Sequence, residues 1–150
     1  MSTSPPPRQH LGQLLVQLTR LFQNELFAGL VAAGLSDARV PHTHVTAYIK
    51  AEGSRLTELA AQARMTLPAM SELVDDLQRL GIVERRPDAR DRRAKLICLT
   101  DAGWDAMRTA REVIAGIEAD WARRVGAERF ESTAQTLDEL LRDLSAASET

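Results

Sequence analysis

The arginines are the clearest chemical feature of this sequence, and they are concentrated between residues 84 and 95. This segment holds six basic and three acidic residues, whereas the whole chain has a formal net charge of −2. A guanidinium stays charged and binds phosphate through a planar fork of N–H donors. It also fits the narrow, electronegative minor groove of DNA. The sequence therefore predicts a local site for a polyanion, with Arg90, Arg92 and Arg93 as the best contacts.

Other chemistries find less support in the sequence. No nucleophile accompanies a base, and there is neither a metal-ligand cluster nor a glycine-rich phosphate loop, so an enzyme is not expected. His42 and His44 are two residues apart in a predicted helix, where such side chains diverge by about 200°. This spacing does not predict a metal site. We therefore expect neither a metal nor another cofactor.

The cysteine content and the start of the chain indicate the compartment. Cys98 is the only cysteine and cannot form an internal disulfide, which is consistent with a reducing environment. We interpret it as a small buried hydrophobe. Residues 1–9 lack the apolar region of a signal peptide, and no stretch approaches the roughly 20 apolar residues of a spanning helix. Together these features predict a cytoplasmic protein that does not contact a membrane.

The arginine-rich segment is predicted to be the loop of a β-hairpin. Ile82–Arg85 and Leu96–Leu99 are short β-prone runs, and the ten residues between them, Arg86–Lys95, are polar. Because both β-prone runs contain apolar residues while the loop is charged, the hairpin should anchor its base in a core and expose its tip.

Two short helices joined by a tight turn precede the hairpin. Thr57 is the predicted N-cap of a helix that ends at Ala63, and Arg64-Met65 forms the turn without the usual glycine. Thr66 caps a second helix, which Gly81 ends. The apolar face of this second helix is predicted to consist of Met70, Leu73, Val74, Leu77 and Leu80.

Longer helical patterns flank this region on both sides. A helix is predicted from His10 toward Gly34, followed by a short helix over residues 42–51. The inward residues of the short helix are predicted to be Val45, Tyr48 and Ile49. Thr100 is the N-cap of a long helix, and a last helix covers about residues 127–145.

The apolar stripes of the flanking helices exceed what a compact core of about 70 residues needs, so they must cover each other or a second subunit. A helical dimerisation layer is the simplest interpretation. The residues expected at this interface are Leu11, Leu14, Leu15, Leu18, Ile117, Trp121, Leu137, Leu141 and Leu144.

Four segments resemble the MarR family of bacterial transcription regulators, in the family's order and at its spacing. They are TELAAQA, SELVDDLQRLGIVERRPD, DRRAK and LTDAG, and the resemblance covers nearly the whole chain after residue 9. It implies a dimer of winged helices, in which the helix matching Leu67–Leu80 enters the major groove and the hairpin, or wing, reaches the minor groove. Asp91 and Arg93 match the family's Asp-x-Arg wing signature, and we expect Asp91 to orient a neighbouring arginine.

The expected fold is mainly α with a small β-wing, a winged helix-turn-helix core flanked by N- and C-terminal dimerisation helices. Residues 1–9 are predicted to be a disordered tail and residues 10–150 a single MarR-like domain. Within this domain, residues 10–34 and 101–145 form the dimerisation helices, and residues 40–100 form the winged-helix DNA-binding lobe.

The resemblance implies a sequence-specific DNA-binding transcription regulator, a ligand-responsive repressor that acts as a homodimer on a pseudo-palindromic operator. The expected partners are double-stranded DNA, a second copy of the chain and a small aromatic or lipophilic effector. The expected DNA-binding residues are Thr66, Pro68, Ala69, Ser71, Glu72, Arg79, Arg86, Arg90, Arg92 and Arg93. The residues expected near an effector cavity are Phe22, Phe27, His42, His44, Tyr48 and Met70, for which ordinary core packing is the simpler alternative.

Three acids on the recognition helix conflict with a polyanionic partner. Asp75 lies four residues before Arg79 and is predicted to pair with it, whereas Asp76 has no helical partner and Glu72 could accept from a cytosine amino group. The acids either read bases or form salt bridges to the wing or the long helix. An alternative function follows from them, a winged-helix interaction module that has lost DNA binding.

Overall fold

The computed structural model describes residues 9–147, so the predicted disordered tail falls outside the described residues except for Gln9. The fold is mainly helical with one small antiparallel sheet, as predicted. The elements are α1 (Leu11–Ala32), a 3₁₀ turn (Val40–His42), α2 (Thr43–Thr46), β1 (Ser54–Arg55), α3 (Leu56–Gln62), α4 (Leu67–Arg79), β2 (Val83–Asp88), β3 (Asp91–Leu99), α5 (Asp101–Val125) and α6 (Ala127–Ala147).

The chain divides into two compact units, Met1–Arg111 and Glu112–Thr150. The first unit contains α1 to β3 and the start of α5, and the second contains the remainder of α5 and α6. No helix within residues 9–147 combines the length and the apolar character that crossing a membrane requires.

The core of the first unit lies under the helix-turn-helix. Leu59 of α3, Met70 and Val74 of α4, and Val83 and Ile97 of the sheet are almost fully buried in one cluster. These five side chains come from four elements, so the apolar periodicity of each element fixes how it faces the others. This packing sets α4 against the base of the hairpin.

Local signals at both ends of α4 confirm the predicted recognition helix. The hydroxyl of Thr66 accepts a hydrogen bond from the backbone N–H of Ala69 at 3.3 Å, and Pro68 lies in the first turn, where its missing N–H costs no helical bond. Gly81, with φ of +73°, follows the last residues of the helix. Leu80, predicted to face inward, is 39% exposed because it is the C-cap, beyond the buried turns of α4.

The turn between α3 and α4 forms without a glycine. Arg64 takes the left-handed conformation, with φ of +53°, and the N–H of Met65 donates to the carbonyl of Ala60 at 2.8 Å. A side chain in this region costs roughly 1–2 kcal/mol relative to ordinary helical backbone. The hydrogen bonds that close the α3 C-terminus and the burial of α3 and α4 offset this cost.

The wing is longer than the sequence predicted. β2 and β3 extend to Asp88 and Asp91, so the loop is two residues rather than the ten expected, Arg86–Lys95. Charged residues have low β-propensity, but in a hairpin the paired backbone fixes their conformation. β1, a two-residue strand, pairs with β3 and was not predicted at all.

Two helix predictions upstream were also wrong in their bounds. The helix expected over residues 42–51 ends at Thr46, because the N–H of Lys50 donates to the Ser54 hydroxyl at 3.0 Å instead of continuing the helix. Tyr48 consequently lies at the surface. The predicted N-cap Thr57 lies inside α3, which begins directly after β1, so the N-cap is Arg55.

The long C-terminal helices agree with the sequence. The Thr100 hydroxyl caps α5 by accepting from the N–H of Gly103 at 3.0 Å, and Gly126, with φ of +94°, separates α5 from α6. Within the described residues α6 has no buried side chain. Its four leucines are among the exposed hydrophobic side chains, which are found on α1 as well.

Candidate nucleic-acid interface

The tip of the wing carries its arginines on a bulge. Pro87 pairs with Lys95, but the next residue, Asp88, pairs with Asp91, so Arg92–Ala94 have no partners on β2. Pro87 cannot donate a ladder hydrogen bond, and a bulge bends a strand and redirects its side chains. The pairing irregularity therefore explains why the arginines project from the ribbon.

The three arginines predicted as best contacts are available for binding. Arg90, Arg92 and Arg93 are exposed, and their guanidinium groups form no ion pair with any residue in the described range 9–147. Arg86, also predicted as a contact, is different because Glu84 accepts from its Nε at 2.8 Å. This hydrogen bond raises the pKa of Arg86 and neutralises part of its charge.

Asp88 and Arg55, neither of which was predicted as a site residue, hold the wing tip. The Asp88 side chain is buried and accepts from Arg55 Nε at 3.0 Å, from Arg55 Nη2 at 2.6 Å and from the backbone N–H of Arg90 at 2.9 Å. The hydrogen bond from Arg90, followed by that from Arg55, lowers the pKa of Asp88. Because Arg55 belongs to β1, this ion pair ties the wing to the base of the helix-turn-helix.

Asp91 was expected to orient a neighbouring arginine, and its contact is with the backbone of one. Its Oδ1 accepts from the N–H of Arg93 at 3.0 Å, which fixes the chain direction at the start of β3. The guanidinium of Arg93 remains unpaired within residues 9–147.

The solvent face of α4 is a ridge defined here by Pro68, Glu72, Asp75 and Arg79. At 100° per residue these four lie opposite the buried face, and all are exposed. Of the other predicted contacts on α4, Thr66 is exposed at the N-cap, whereas Ala69 and Ser71 are half-buried beside the ridge. The ridge is the part of α4 that a groove could receive.

Asp75, on one flank of the ridge, pairs with the wing. Its carboxylate contacts Arg85 Nη2 at 2.7 Å, and Arg85 Nη1 donates to Gln78 at 2.6 Å. The predicted pair of Asp75 with Arg79 is therefore wrong, because the start of β2 brings Arg85 within closer reach. The alternative that these acids form salt bridges to the wing is confirmed for Asp75.

Asp76, on the other flank, has three partners. One of them is Arg79 of the same helix, so the prediction that Asp76 has no helical partner is wrong. Arg79 and Arg39 each donate through Nη2 to its carboxylate, and His42 Nε2 lies 3.4 Å away. The hydrogen bond with His42, and then the charges of Arg39 and Arg79, lower the pKa of Asp76. Glu72 is the one ridge acid with no ion pair among the described residues.

The sequence of this helix-turn-helix and wing is similar to that of known proteins. Residues 29–94, which span the helix-turn-helix and most of the wing, match the MarR family model. Over this segment the chain is similar to the MarR family. It is 28% identical over 134 residues to YdcH of Bacillus subtilis, an uncharacterized HTH-type transcriptional regulator, with 87% of this chain and 91% of YdcH covered.

Solved structures of MarR family regulators share the fold. CouR of Rhodococcus jostii, solved with p-coumaroyl-CoA, is 25% identical with a TM-score of 0.69, covering 88% of this chain and 92% of CouR. The F27L mutant of Staphylococcus aureus MepR, solved bound to an oligodeoxyribonucleotide, is 21% identical with a TM-score of 0.60, covering 91% of this chain and 99% of MepR.

The residues expected near an effector cavity are dispersed in this chain. Met70 is fully buried in the core and His42 is buried beside Asp76, whereas His44 and Tyr48 are exposed. Phe22 and Phe27 are half-buried on α1. A separate open cavity of about 320 Å³ is lined by Ser36, Asp37, Arg39, Asp76, Arg79 and Leu80, which include none of the expected effector residues.

The expected dimer residues lie on the flanking helices α1, α5 and α6, and most are exposed. Leu11, Leu15 and Leu18 of α1 are each at least 41% exposed, and Leu141 and Leu144 of α6 reach 66% and 59%. Ile117 is instead buried, with Leu14 and Trp121 half-buried.

Proposed function

We propose that this chain is a MarR family transcription regulator that binds a pseudo-palindromic DNA operator as a homodimer, a repressor released by a small effector. The observation that carries the proposal is the wing tip, where three exposed arginines without described ion pairs lie next to the ion pair of buried Asp88 with Arg55, beside a helix-turn-helix. This support fixes the backbone that carries the arginines, while their unpaired guanidinium groups stay available to DNA. The oligodeoxyribonucleotide in the MepR structure supports the same partner.

The helix α4 and the wing have different proposed roles in the complex. Ser71 and Glu72 near its N-terminus contact base edges, whereas the wing arginines contact the minor groove and its phosphates. Two half-sites related by the dimer axis lie roughly 10 base pairs apart, or a multiple of that spacing. Because chromosomal DNA is the partner, we place the protein in the cytoplasm.

The alternative of an interaction module without DNA binding loses its main argument. It depended on three acids facing the partner, but Asp75 and Asp76 are both ion-paired with arginines. Only Glu72 retains an uncompensated charge among the described residues of the ridge. We propose a binding protein and not an enzyme, in line with the regulators that form the family.

We propose an aromatic or lipophilic effector on narrower grounds. CouR, the relative at 25% identity, was solved with p-coumaroyl-CoA, an aromatic thioester. Binding such a ligand to the DNA-free state would draw the equilibrium away from the operator complex. A screen of aromatic acids and their thioesters for release of bound DNA tests this part separately.

The decisive experiment is fluorescence anisotropy with the upstream intergenic DNA of the protein's own gene, titrated from about 50 to 200 mM salt. The expected result is tight binding that resists competitor DNA and weakens steeply with salt. Arg92→Ala and Arg93→Ala should each weaken binding to all sequences, with Asp105→Asn on α5 as an unaffected control. Unchanged DNA affinity in both arginine variants would refute the wing assignment.

A further inference from the structure

Basic side chains contact the acids on both sides of α4, and two of them, Arg39 and Arg85, were not among the predicted DNA-binding residues. On one side, Arg85 of the wing contacts Asp75. On the other side, Arg39, which precedes the 3₁₀ turn, and Arg79 both contact Asp76. A helix in the major groove lies between two sugar-phosphate backbones, so each flank of the ridge would face one of them.

The Arg39 and Arg79 side chains have hydrogen-bonding capacity to spare. They are 61% and 75% exposed, and each uses a single Nη2 group on Asp76. A guanidinium has five N–H donors, and none of the others is hydrogen-bonded to a residue in the range 9–147. Both side chains border the cavity of about 320 Å³, which is open to solvent.

Asp76 is itself fixed in place, which makes it a suitable anchor. The backbone N–H of Arg39 donates to His42 Nδ1 at 3.3 Å, so the ring proton of neutral His42 is on Nε2 and points to Asp76 at 3.4 Å. His42 is buried, whereas the arginines are not. The carboxylate is thus held from the protein side and offers its remaining lone pairs to the two guanidinium groups.

We propose that Arg39 and Arg79 bind one phosphate of the DNA backbone beside the recognition helix, and that Asp76 is the positioning residue that holds them for it. The inference rests on the proposed DNA-binding function and deepens it. Asp76 is then not a repulsive charge on the recognition helix, because two arginines for one carboxylate leave that trio with a net positive charge. Phosphate accepts the guanidinium forks that Asp76 leaves free.

Four variants and one control test the site. DNA affinity is measured by anisotropy from about 50 to 200 mM salt for Arg39→Ala, Arg79→Ala, Asp76→Asn and Asp37→Asn. Asp37 lines the same cavity and forms no ion pair with a described residue. Arg108→Ala is the control, because Arg108 also pairs with an aspartate three residues earlier, but on α5.

The expected results differ in sign between the two aspartates. Because the two arginines share one phosphate, removal of either should reduce the slope of log K against log salt by up to about 0.9 per subunit, so up to about 1.8 for a dimer, while Arg108→Ala leaves it unchanged. Asp37→Asn should tighten DNA binding, because it removes a negative charge and nothing else. Asp76→Asn removes the same charge, yet it should weaken binding because the arginines lose their anchor.

Several outcomes would overturn the proposal. Wild-type slopes in both arginine variants would show that neither arginine binds a phosphate. An Asp76→Asn protein that binds as tightly as Asp37→Asn would show that Asp76 only repels DNA. If Arg39→Ala fails to fold by circular dichroism, Arg39→Gln, which keeps a donor for Asp76 without the charge, replaces it. A wild-type protein that binds no DNA would refute the proposed function together with this site, whereas normal wild-type binding with unchanged variant slopes refutes the phosphate site alone.

Discussion

Single carboxylates hold several arginines of this protein in position. Asp76 of α4 forms ion pairs with two arginines, and Asp88 joins Arg55 to the wing tip through a side chain that is almost entirely buried. In each case the acid lies close to the DNA-binding surface and pairs with arginines. These arginines offset its negative charge, and the carboxylate holds them in position. The acidic balance of the whole chain therefore says little about the local potential at the interface.

Asp88→Asn should weaken DNA binding although it removes a negative charge. The amide keeps the shape of the side chain but loses the ion pair with Arg55, so the tip and its arginines become less ordered. We expect operator affinity to fall roughly 2- to 10-fold, the range for one or two lost hydrogen bonds. Anisotropy with Asp105→Asn as the matched control measures it, and tighter binding by Asp88→Asn would contradict the supporting role.

The same two carboxylates should give the fold an acid-sensitive stability. The pKa of Asp76 is lowered first by His42 and then by the charges of Arg39 and Arg79, and that of Asp88 by the Arg90 N–H and by Arg55. A depressed folded-state pKa stabilises the fold above the unfolded value near 4, and this contribution disappears as the pH falls through the folded pKa.

A double variant, Asp76→Asn with Asp88→Asn, should therefore show a flatter pH profile. Its melting temperature should lie below that of the wild type at pH 7 and approach the wild-type value as the pH falls from about 5 to 2. Thermal melting followed by circular dichroism gives both curves. Parallel curves over this pH range would show that neither carboxylate contributes through its charge.

Residue-scale predictions from the sequence succeeded where the signal is local. The caps at Thr66 and Thr100 follow from residue type and spacing alone. Arg39 and Arg55 could not be found in this way, because their acidic partners lie 37 and 33 residues away. Helical spacing also favoured the wrong partner for Asp75, since a tertiary contact outweighed the local one.

Whole elements were predicted best where the periodic apolar pattern extends over many residues. The helices α1, α4, α5 and α6 match the sequence closely, because many apolar repeats specify each. The two-residue strand β1 carries no periodic signal, and only its pairing with β3 defines it. The charged part of the wing likewise has no β-pattern of its own and follows the register set at the hairpin base.

The junction of the sheet with α5 depends on a residue that must be small. A Cβ added to Gly103 would lie 2.1 Å from the carbonyl oxygen of Ile82, which also accepts from the N–H of Thr100 at 3.1 Å. Gly103→Ala should therefore force the start of α5 away from β2 and lower the free energy of unfolding by about 1–3 kcal/mol.

Gly116 supplies the matched control on the same helix. No atom lies within 4 Å of a Cβ built there, so Gly116→Ala should gain helix propensity and raise the free energy of unfolding by about 1 kcal/mol. Urea unfolding of both variants measures the difference. A Gly103→Ala protein as stable as the wild type would mean that α5 can shift without loss of packing.

On the scale of the molecule, the exposed apolar residues are the strongest argument for a second subunit. Leu137, Leu140, Leu141 and Leu144 fall on one face of α6, at spacings of three and four, and each is more than a third exposed. A contiguous apolar face of this kind on a helix of a monomer would favour association. The sequence predicted this stripe, but no property of one chain fixes which faces of two copies meet.

Leu141→Glu should produce a monomer that has lost operator binding. A charge placed at the most exposed apolar position of α6 must be desolvated when two copies pack, whereas it costs little on an isolated helix in water. Ala146→Glu is the matched control, because it adds the same charge to α6 on the side away from the leucines. Sedimentation equilibrium gives the mass, and circular dichroism checks that helix content is retained.

Since a pseudo-palindrome is bound by two linked helix-turn-helix units, the monomer should retain only weak, salt-sensitive binding. A Leu141→Glu protein that stays dimeric would remove α6 from the proposed interface and leave α1 to supply it.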